Sequence, residues 1–396
     1  MQLVAYGAQD IYLTGNPQIT FFKVVYRRHT NFSMEAIEQT FNGTADFGNS
    51  VSATISRNGD LVSRLYLEIS PNEFLTNLSS ENCYITAYAG NSIVNEVELE
   101  IGGQRIDRQF GHWMNVWSEL TEKNPSGKIG TVAAAGGDEP GSDSTLYQRL
   151  SYNHVGNDLH HGSGSGKATV NAPEKAFVPL MFWFCRNPGL ALPLIALQYH
   201  EVKVKVKFET VARIFETAEN CTATSLSSTK LWADYIYLDT DERRRFAQVS
   251  HEYLIEQLQY ETFSTTVTDK SLNFNHPVKE LIWTKSGSGG GTGSVANTGS
   301  PTFQLILNGH DRFEPRDYRY FTRTQVWQHH SHGHGGSKSD AISVYSFAQD
   351  AYKKALYDPF EAICDCELVI ETGNSVERMA KIEANAANPV IDMAVI

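Results

Sequence analysis

The sequence has little cysteine, no excess of positive charge and no long apolar run. Only five of its 396 residues are cysteine, which is too few and an odd number for a secreted domain held together by disulfides. Lysine and arginine number 33 against 45 aspartate and glutamate residues, giving a net charge of −12. Because a protein that coats nucleic acid needs clustered basic residues to neutralise phosphates, direct nucleic-acid binding is not expected.

Signals for export and for membrane insertion are also missing. The first residues, MQLVAYGAQDIYLTG, have neither the basic start nor the apolar centre of a signal peptide. The most apolar stretch, residues 176–197, contains Arg186 and three prolines, which a spanning helix of about 20 residues does not carry. We therefore expect a protein that stays in the compartment of its synthesis and has no transmembrane segment.

What the sequence does contain is a succession of strand patterns. Between Val202 and Phe208, four apolar side chains alternate with three lysines, which predicts a strand of an antiparallel sheet with one buried face. Similar patterns predict strands at Ser50–Ser56, Leu61–Ile69, Val94–Ile101, Ala176–Phe184, Leu231–Leu238, Tyr253–Thr262, Val278–Trp283, Thr302–Leu307, Ile342–Phe347 and Ile363–Glu371. Short helices are predicted at His112–Glu122, Asp241–Phe246 and Asp350–Leu356.

These patterns predict an all-β protein with two domains. Many strands without a regular strand–helix rhythm favour an antiparallel sandwich, barrel or jelly roll over a doubly wound fold. Asn124–Pro173 and Ser286–Ser300 are rich in small and polar residues, and we expect both to be long surface loops that contribute nothing to a core. The polar stretch 216–230 is predicted to be a linker between one domain at 25–215 and another at 231–396.

A cluster of histidines is the first candidate for a chemical site. Two imidazoles separated by one residue can bind a single metal ion. The run HHSHGHGG, however, continues into glycine and carries no alternating apolar residues. It therefore favours a solvated loop over a metal site. The histidines concerned are His329, His330, His332 and His334.

The other candidate motifs are weaker still. Residues 291–296 match a dinucleotide fingerprint without a following helix pattern, and Gly166-Lys167 lacks the Ser or Thr that would bind magnesium. Cys364 and Cys366 would share one face of a predicted strand, which favours buried thiols because no second pair completes four ligands. The run 243–245, three arginines, follows acidic residues and predicts local ion pairs. No catalytic, cofactor-binding or metal-binding residue is assigned.

Several long stretches resemble, in the same order, the major capsid proteins of nucleocytoplasmic large DNA viruses, the giant-virus and algal-virus group. The N-terminal stretch begins QLVAYGAQDIYLTGNPQITFFKVVYRRHTNFSMEAIEQTFNG, and a later one reads YIYLDTDERRRFAQVSHEYLIEQLQ. Together they span nearly the whole chain, so the resemblance is specific. The matching stretches are Gln2–Gly43, Phe47–Ile69, Tyr235–Gln259, Leu307–Phe313, Gln328–His330 and Val344–Ala348.

The resemblance implies two consecutive eight-stranded antiparallel jelly rolls with short helices and long Gly-rich loops. It also implies a homotrimer of near-hexagonal outline that tiles an icosahedral shell, with neighbouring capsomers, minor capsid proteins and penton proteins as partners. Such a protein is made and assembled in the host cytoplasm and resides in the virion capsid. Residues 1–24 would be an N-terminal assembly segment. The chain ends at Ile396, and by comparison with the family we expect the final strand of the second jelly roll to be missing.

One alternative comes from a different functional class. A jelly roll is also the scaffold of cupin-like and glycan-active enzymes, and a fold by itself does not determine function. A cellular sugar-binding sandwich is a third possibility. A stoichiometric metal in the purified protein would favour the enzyme.

Overall fold

The computed structural model describes just under three fifths of the chain. The predicted N-terminal segment 1–24 and the predicted helix Asp350–Leu356 lie outside this part. The described residues are 31–71, 83–84, 88–122, 146–153, 160–161, 175–214, 225–249, 251, 253, 255–264, 269–274, 278–286, 292–293, 301–307, 309–330, 342–347, 366–371 and 390–395.

Strands account for most of the regular structure. In the first part of the chain they are β1 (Phe32–Gln39), β2 (Phe41–Asn42), β3 (Ser50–Thr54), β4 (Leu61–Ile69), β5 (Cys83–Tyr84), β6 (Val94–Ile101), β7 (Gln104–Phe110), β8 (His160–His161), β9 (Ala176–Pro179), β10 (Leu192–Pro193), β11 (Val202–Phe208) and β12 (Lys230–Leu238). In the second part they are β13 (Gln259–Ser264), β14 (Asp269–Leu272), β15 (Glu280–Ser286), β16 (Thr292–Gly293), β17 (Thr302–Leu307), β18 (His310–Asp311), β19 (Arg316–Asp317), β20 (Ile342–Ser346), β21 (Cys366–Glu371) and β22 (Val390–Val395).

The helices are short and lie between strands. A 3₁₀ turn at Pro188–Leu190 and a π-helical turn at Tyr320–Thr324 accompany them. The α-helices are α1 (Ala89–Ser92), α2 (Gly111–Thr121), α3 (Leu146–Ser151), α4 (Trp183–Arg186), α5 (Val211–Ile214), α6 (Thr240–Gln248) and α7 (Gln325–His329).

Four antiparallel sheets carry the architecture. Sheet I has the order β1-β12-β4, with β9 and β10 both pairing with β4, and sheet II has the order β2-β3-β11-β6-β7. Sheet III has the order β13-β22-β15, with β20 and β16 pairing with β15. Sheet IV has the order β14-β21-β17, with β18 and β19 pairing with β17.

The same topology occurs twice. With the short strands β2, β5, β8, β10 and β16 set aside and β18 and β19 counted as one, each part of the chain has eight main strands. In both parts one sheet has the order 1-8-3-6 and the other has the order 2-7-4-5. This is the jelly-roll arrangement, in which the last strand returns to pair beside the first. The predicted fold class, two consecutive jelly rolls, is confirmed.

The predicted domain boundary is wrong. β12 pairs along its whole length with β1, from Phe32 opposite Leu238 to Gln39 opposite Leu231, and it also pairs with β4. The strand is therefore the eighth of the first jelly roll, and the second jelly roll cannot begin at residue 231. The polar stretch 216–230 leads into this closing strand, which begins at Lys230, so its linker-like composition belongs to a connection within the first jelly roll.

The expectation of a missing final strand is also wrong. β22 lies between β13 and β15 and pairs with both, in the position that β12 occupies in sheet I. Its sequence, VIDMAV, is short and follows a long polar stretch. Only the pairing with β13, more than a hundred residues earlier in the chain, identifies it as the eighth strand.

Each jelly roll has a core between its two sheets. The first core contains Leu65 and Leu67 of sheet I and Val204 and Val206 of sheet II, each at most 1% exposed. The second core contains three rings packed together, Trp283, Phe303 and Phe321, whose centroids are 5.2–5.7 Å apart. Aromatic packing at these distances adds to the stabilisation that comes from burial alone.

The predicted loop Asn124–Pro173 contains a packed element. α3 is followed by Tyr152, which is 1% exposed, and by Asn153, whose side-chain oxygen accepts a hydrogen bond from the Asn91 amide. A Cβ added to Gly90 would stand 1.7 Å from the Ser151 carbonyl oxygen, so only glycine fits there. The expectation that this whole segment contributes nothing to a core is therefore wrong. In Ser286–Ser300, only the pairing of β16 with the end of β15 is described.

The alternating pattern of β11 leads to a stability prediction. Val204 is fully buried, whereas Lys205 beside it is exposed and pairs with Glu100. Replacing Val204→Asp should lower the free energy of unfolding by at least about 3 kcal/mol, because the carboxylate is buried without a partner. Replacing Lys205→Gln should cost about 0.5 kcal/mol or less. Urea denaturation measures both, and equal losses would contradict the assigned register.

Candidate interaction surfaces

The helix α2 lies between the two jelly rolls. It follows β7 and carries four apolar residues at the i, i+3, i+4 and i+7 spacing that forms one helical face. Each is at most 2% exposed, and together they pack against Ile282, Ile342 and Val344 of sheet III and against Val326 of α7. The four residues of this α2 face are Trp113, Val116, Trp117 and Leu120.

Alternation along β15 explains why sheet III offers an apolar surface to α2. Leu281 and Trp283 belong to the second core, so Ile282 and Thr284 point to the opposite, outer face of the sheet. There the His112 ring nitrogen Nε2 lies 3.0 Å from the Thr284 hydroxyl. The outer face of one jelly roll is thus buried by a helix of the other, which couples the two units.

Polar contacts surround this apolar contact. Glu256 accepts hydrogen bonds from Arg186 at 2.6 Å and from Lys279 at 2.7 Å. The Arg186 guanidinium also lies 4.2 Å above the ring of Trp117. The Leu258 amide donates to Asp107 at 3.1 Å, and burial raises the pKa of Asp107 above its ordinary value. The segment leading into β13 is therefore fixed to the first jelly roll.

The outer face of sheet II is a ladder of opposite charges. The glutamates of β6 lie between the lysines of β11 and the arginines of β7, with Arg105 3.0 Å from Glu98 and a further pair between Lys205 and Glu100. Exposed pairs of this kind contribute little stability. The acidic strand offsets the basic ones, so this face differs from the uninterrupted basic surface that binds phosphates.

Several large apolar side chains are exposed on other surfaces. Trp327 on α7 is 83% exposed and Tyr199 is 92% exposed, while Phe32 and Met34 are exposed on the edge strand β1. Exposed aromatic residues are enriched at protein interfaces, where tryptophan and tyrosine often dominate the binding energy. These positions are candidate contacts with other protein chains.

A groove of about 750 Å³ runs beside α2, between that helix, α3 and the outer face of sheet I. Its apolar lining includes Tyr66, Phe177 and the exposed Leu150. Burial raises the pKa of Asp234 in its wall, an effect that Arg64 opposes, and raises the pKa of the Cys185 thiol to about 12. At neutral pH this thiol is therefore protonated. The apolar lining makes the groove a candidate binding surface.

The structure changes the interpretation of the histidine cluster. His330 follows α7 directly, its side chain is 1% exposed, and its Nε2 lies 2.7 Å from Glu280 on β15. The expectation of a solvated loop is therefore wrong for His330, because the buried side of α7 continues to this residue. His329 is the last residue of α7, whereas His332 and His334 lie outside the described residues.

The other sequence candidates are only partly described. Arg243 on α6 pairs with Asp60 at 2.9 Å, a residue distant in sequence, while Asp239 caps the same helix by accepting from the Thr240 amide. Cys366 lies on β21 and Cys364 lies outside the described part. The Gly166-Lys167 motif also falls outside it, as does most of the glycine motif 291–296.

In the part of the chain that the structure describes, no three His, Cys, Asp or Glu side chains are close enough together to hold a metal ion. None of the helices described is long and apolar enough to cross a membrane.

The contact of α2 with sheet III can be tested by truncation. Replacing Trp113→Ala should cost about 3–5 kcal/mol, because it removes a large buried ring between the units. We expect the single unfolding transition of the parent protein, followed by calorimetry, to separate into two. Tyr199→Ala, at an exposed position, is the control and should change neither the free energy of unfolding nor the number of transitions. A single unshifted transition in Trp113→Ala would contradict a coupling role.

Two family models match the chain in succession. The model of the major capsid protein N-terminus matches residues 20–239, and the model of the large eukaryotic DNA virus major capsid protein matches residues 242–355. The division between them falls just after β12, in agreement with the strand pairing of the first jelly roll.

Individual relatives agree with the family models. The chain is 51% identical to the major capsid protein of Pyramimonas orientalis virus, over 83% of this chain and 75% of that protein. It is 41% identical to the major capsid protein of Paramecium bursaria Chlorella virus 1 (PBCV-1), over 88% of this chain and 80% of that protein.

Solved structures show the same architecture. PBCV-1 VP54 has a TM-score of 0.68 and 29% identity, with 95% of each chain covered. The Faustovirus major capsid protein has a TM-score of 0.61 at 11% identity, covering 98% of this chain and 93% of that one, which supports the fold alone. Since a family model covers more than half of the sequence and the relatives match most of it, the chain belongs to the major capsid proteins of large eukaryotic DNA viruses.

Proposed function

We propose that the chain assembles into homotrimers of near-hexagonal outline that tile an icosahedral capsid. The observation that carries this proposal is the repetition of one jelly-roll topology within a chain whose two units are coupled by α2. Three copies of such a chain present six similar units, so a threefold object can meet six neighbours. In a closed ring, each subunit also uses each of its interface surfaces once, and none is left without a partner.

The similar structures support a shell role. A PBCV-1 chain that matches this one with a TM-score of 0.68 is part of a quasi-atomic model of that virus capsid. By analogy, the partners of this chain are its own copies, neighbouring capsomers, and minor capsid and penton proteins. The place of action is the virion, assembled in the host cytoplasm.

The role is structural rather than enzymatic. A cupin-like enzyme would need metal ligands or a substrate cavity inside a barrel. Between the two sheets of each jelly roll lies a cluster of buried apolar side chains, and among the described residues no three His, Cys, Asp or Glu side chains lie close enough together to hold a metal ion. Asp107, a strongly buried carboxyl group of the first jelly roll, is used in a hydrogen bond to the segment before β13. The proposed role includes no direct contact with the viral DNA, because a chain with a net charge of −12 does not attract phosphates.

Mass measurement of the purified full chain tests the proposal. Native mass spectrometry under reducing conditions should give a particle three times the 44.2 kDa chain mass, and negative-stain images should show a hexagonal outline. A monomer at micromolar concentration would contradict the proposal. Stoichiometric iron, zinc or manganese in the same sample would instead favour the cupin-like enzyme.

A further inference from the structure

Both jelly rolls have a helix directly after their fifth strand. In the first, α2 begins at Gly111 after β7; in the second, a helical segment begins at Tyr318 after β19 and runs through α7 to His329. The fourth residue of each helix is a large side chain buried in its own core, Met114 in α2 and Phe321 in the second helix, where Tyr318 is buried as well. The helices are therefore equivalent elements of the internal repeat.

The two helices differ in how they use their outward face. Counted from the start of each helix, the interface residues of α2 correspond to Tyr320, Arg323, Thr324 and Trp327. Arg323 and Thr324 are exposed, and Trp327, which corresponds to the fully buried Leu120, is 83% exposed. Three of the four positions that α2 buries against sheet III are thus exposed on the second helix, whereas Tyr320 packs against the second core.

The equivalent receiving surface exists on the first jelly roll. Sheet III has the same 1-8-3-6 order as sheet I, and in the second jelly roll the space between α7 and the outer face of sheet III is filled by α2. The corresponding space in the first jelly roll, between α2 and the outer face of sheet I, is the groove of about 750 Å³. Trp117 belongs to the interface between the units and also lines the groove, so the two surfaces are continuous.

We infer that the helix face containing Arg323 and Trp327 of one copy docks into the groove between α2 and sheet I of a second copy. The contact repeats between chains the contact that α2 makes within the chain. The contact is head-to-tail. When the rotation between copies closes the ring after three of them, every groove is occupied and every Trp327 is buried. This inference rests on the proposed trimer and assigns its interface to named residues.

The chemistry of the two surfaces is complementary. Tyr66, Phe177 and Leu150 offer apolar walls to the indole ring of Trp327, and burial of an exposed tryptophan in such a pocket is typical of an interface hot spot. The groove wall contains two acidic and two basic side chains, Asp234 and Glu122 beside Arg64 and Arg186, so the match to Trp327 rests on the apolar walls.

Removal of the indole ring is the first test. In the full chain, Trp327→Ala should raise the concentration at which half of the trimer dissociates by at least about 30-fold, measured by sedimentation across a dilution series. Its melting temperature measured on the monomer should match that of the parent chain, because the side chain is exposed. Lys205→Gln, an exposed position on the outer face of sheet II and outside the helix face and the groove, should leave the midpoint unchanged. An unchanged midpoint in Trp327→Ala would overturn the inference.

Engineered cysteines test the pairing of the two surfaces. A chain with both Trp327→Cys and Leu150→Cys should form covalent trimers on mild oxidation, whereas a mixture of the two single variants should stop at covalent dimers. Each single variant alone should form no more covalent oligomer than the parent chain does. Trimeric particles without any cross-link in the double variant would overturn the assigned interface and leave the trimer intact. A monomeric parent chain would overturn both the trimer and its interface.

Discussion

The burial of α2 against the outer face of sheet III is the contact on which the arrangement of the molecule depends. A jelly roll needs an apolar face only towards its own core, yet Ile282, Ile342 and Val344 make the second face of sheet III apolar as well. The tryptophans of α2 cover that surface, so the two jelly rolls form one body instead of two tethered domains. An aqueous gap at this position would leave several large apolar side chains exposed.

The strands could be predicted from the sequence because their cause is local. Alternation between core and solvent at Val202–Phe208, Leu61–Ile69 and Thr302–Leu307 reproduces the observed strands residue for residue. The sheet to which a strand belongs depends on hydrogen bonds to distant partners. Leu231–Leu238 was predicted correctly as a strand but placed in the wrong domain, since its partner β1 lies about two hundred residues earlier. The position of β22 could not be predicted for the same reason.

The interaction surfaces were less accessible to sequence reasoning. A helix at His112–Glu122 could be predicted. The spacing of its apolar residues, Trp113, Val116, Trp117 and Leu120, indicates a buried face. The local sequence does not show that sheet III is the surface against which this face packs. The groove combines residues from β4, β9, α2 and α3 and exists only in the folded chain. The glycines that follow the histidine run led to the prediction that His330 is solvated. Its burial instead depends on Glu280 of β15, a distant part of the chain. Membership in the capsid family was recognisable because its motifs are long and continuous.

A reconstruction of the purified oligomer by electron cryo-microscopy is the most direct test of the central claim, that one contact is used both within and between chains. The account predicts that the helix bearing Trp327 lies against Tyr66 and Phe177 of the next chain. It also predicts that successive jelly rolls around the ring, within and between chains, are related by similar rotations of about 60°. An oligomer in which this helix faces solvent, or in which copies meet through the charged face of sheet II, would contradict it.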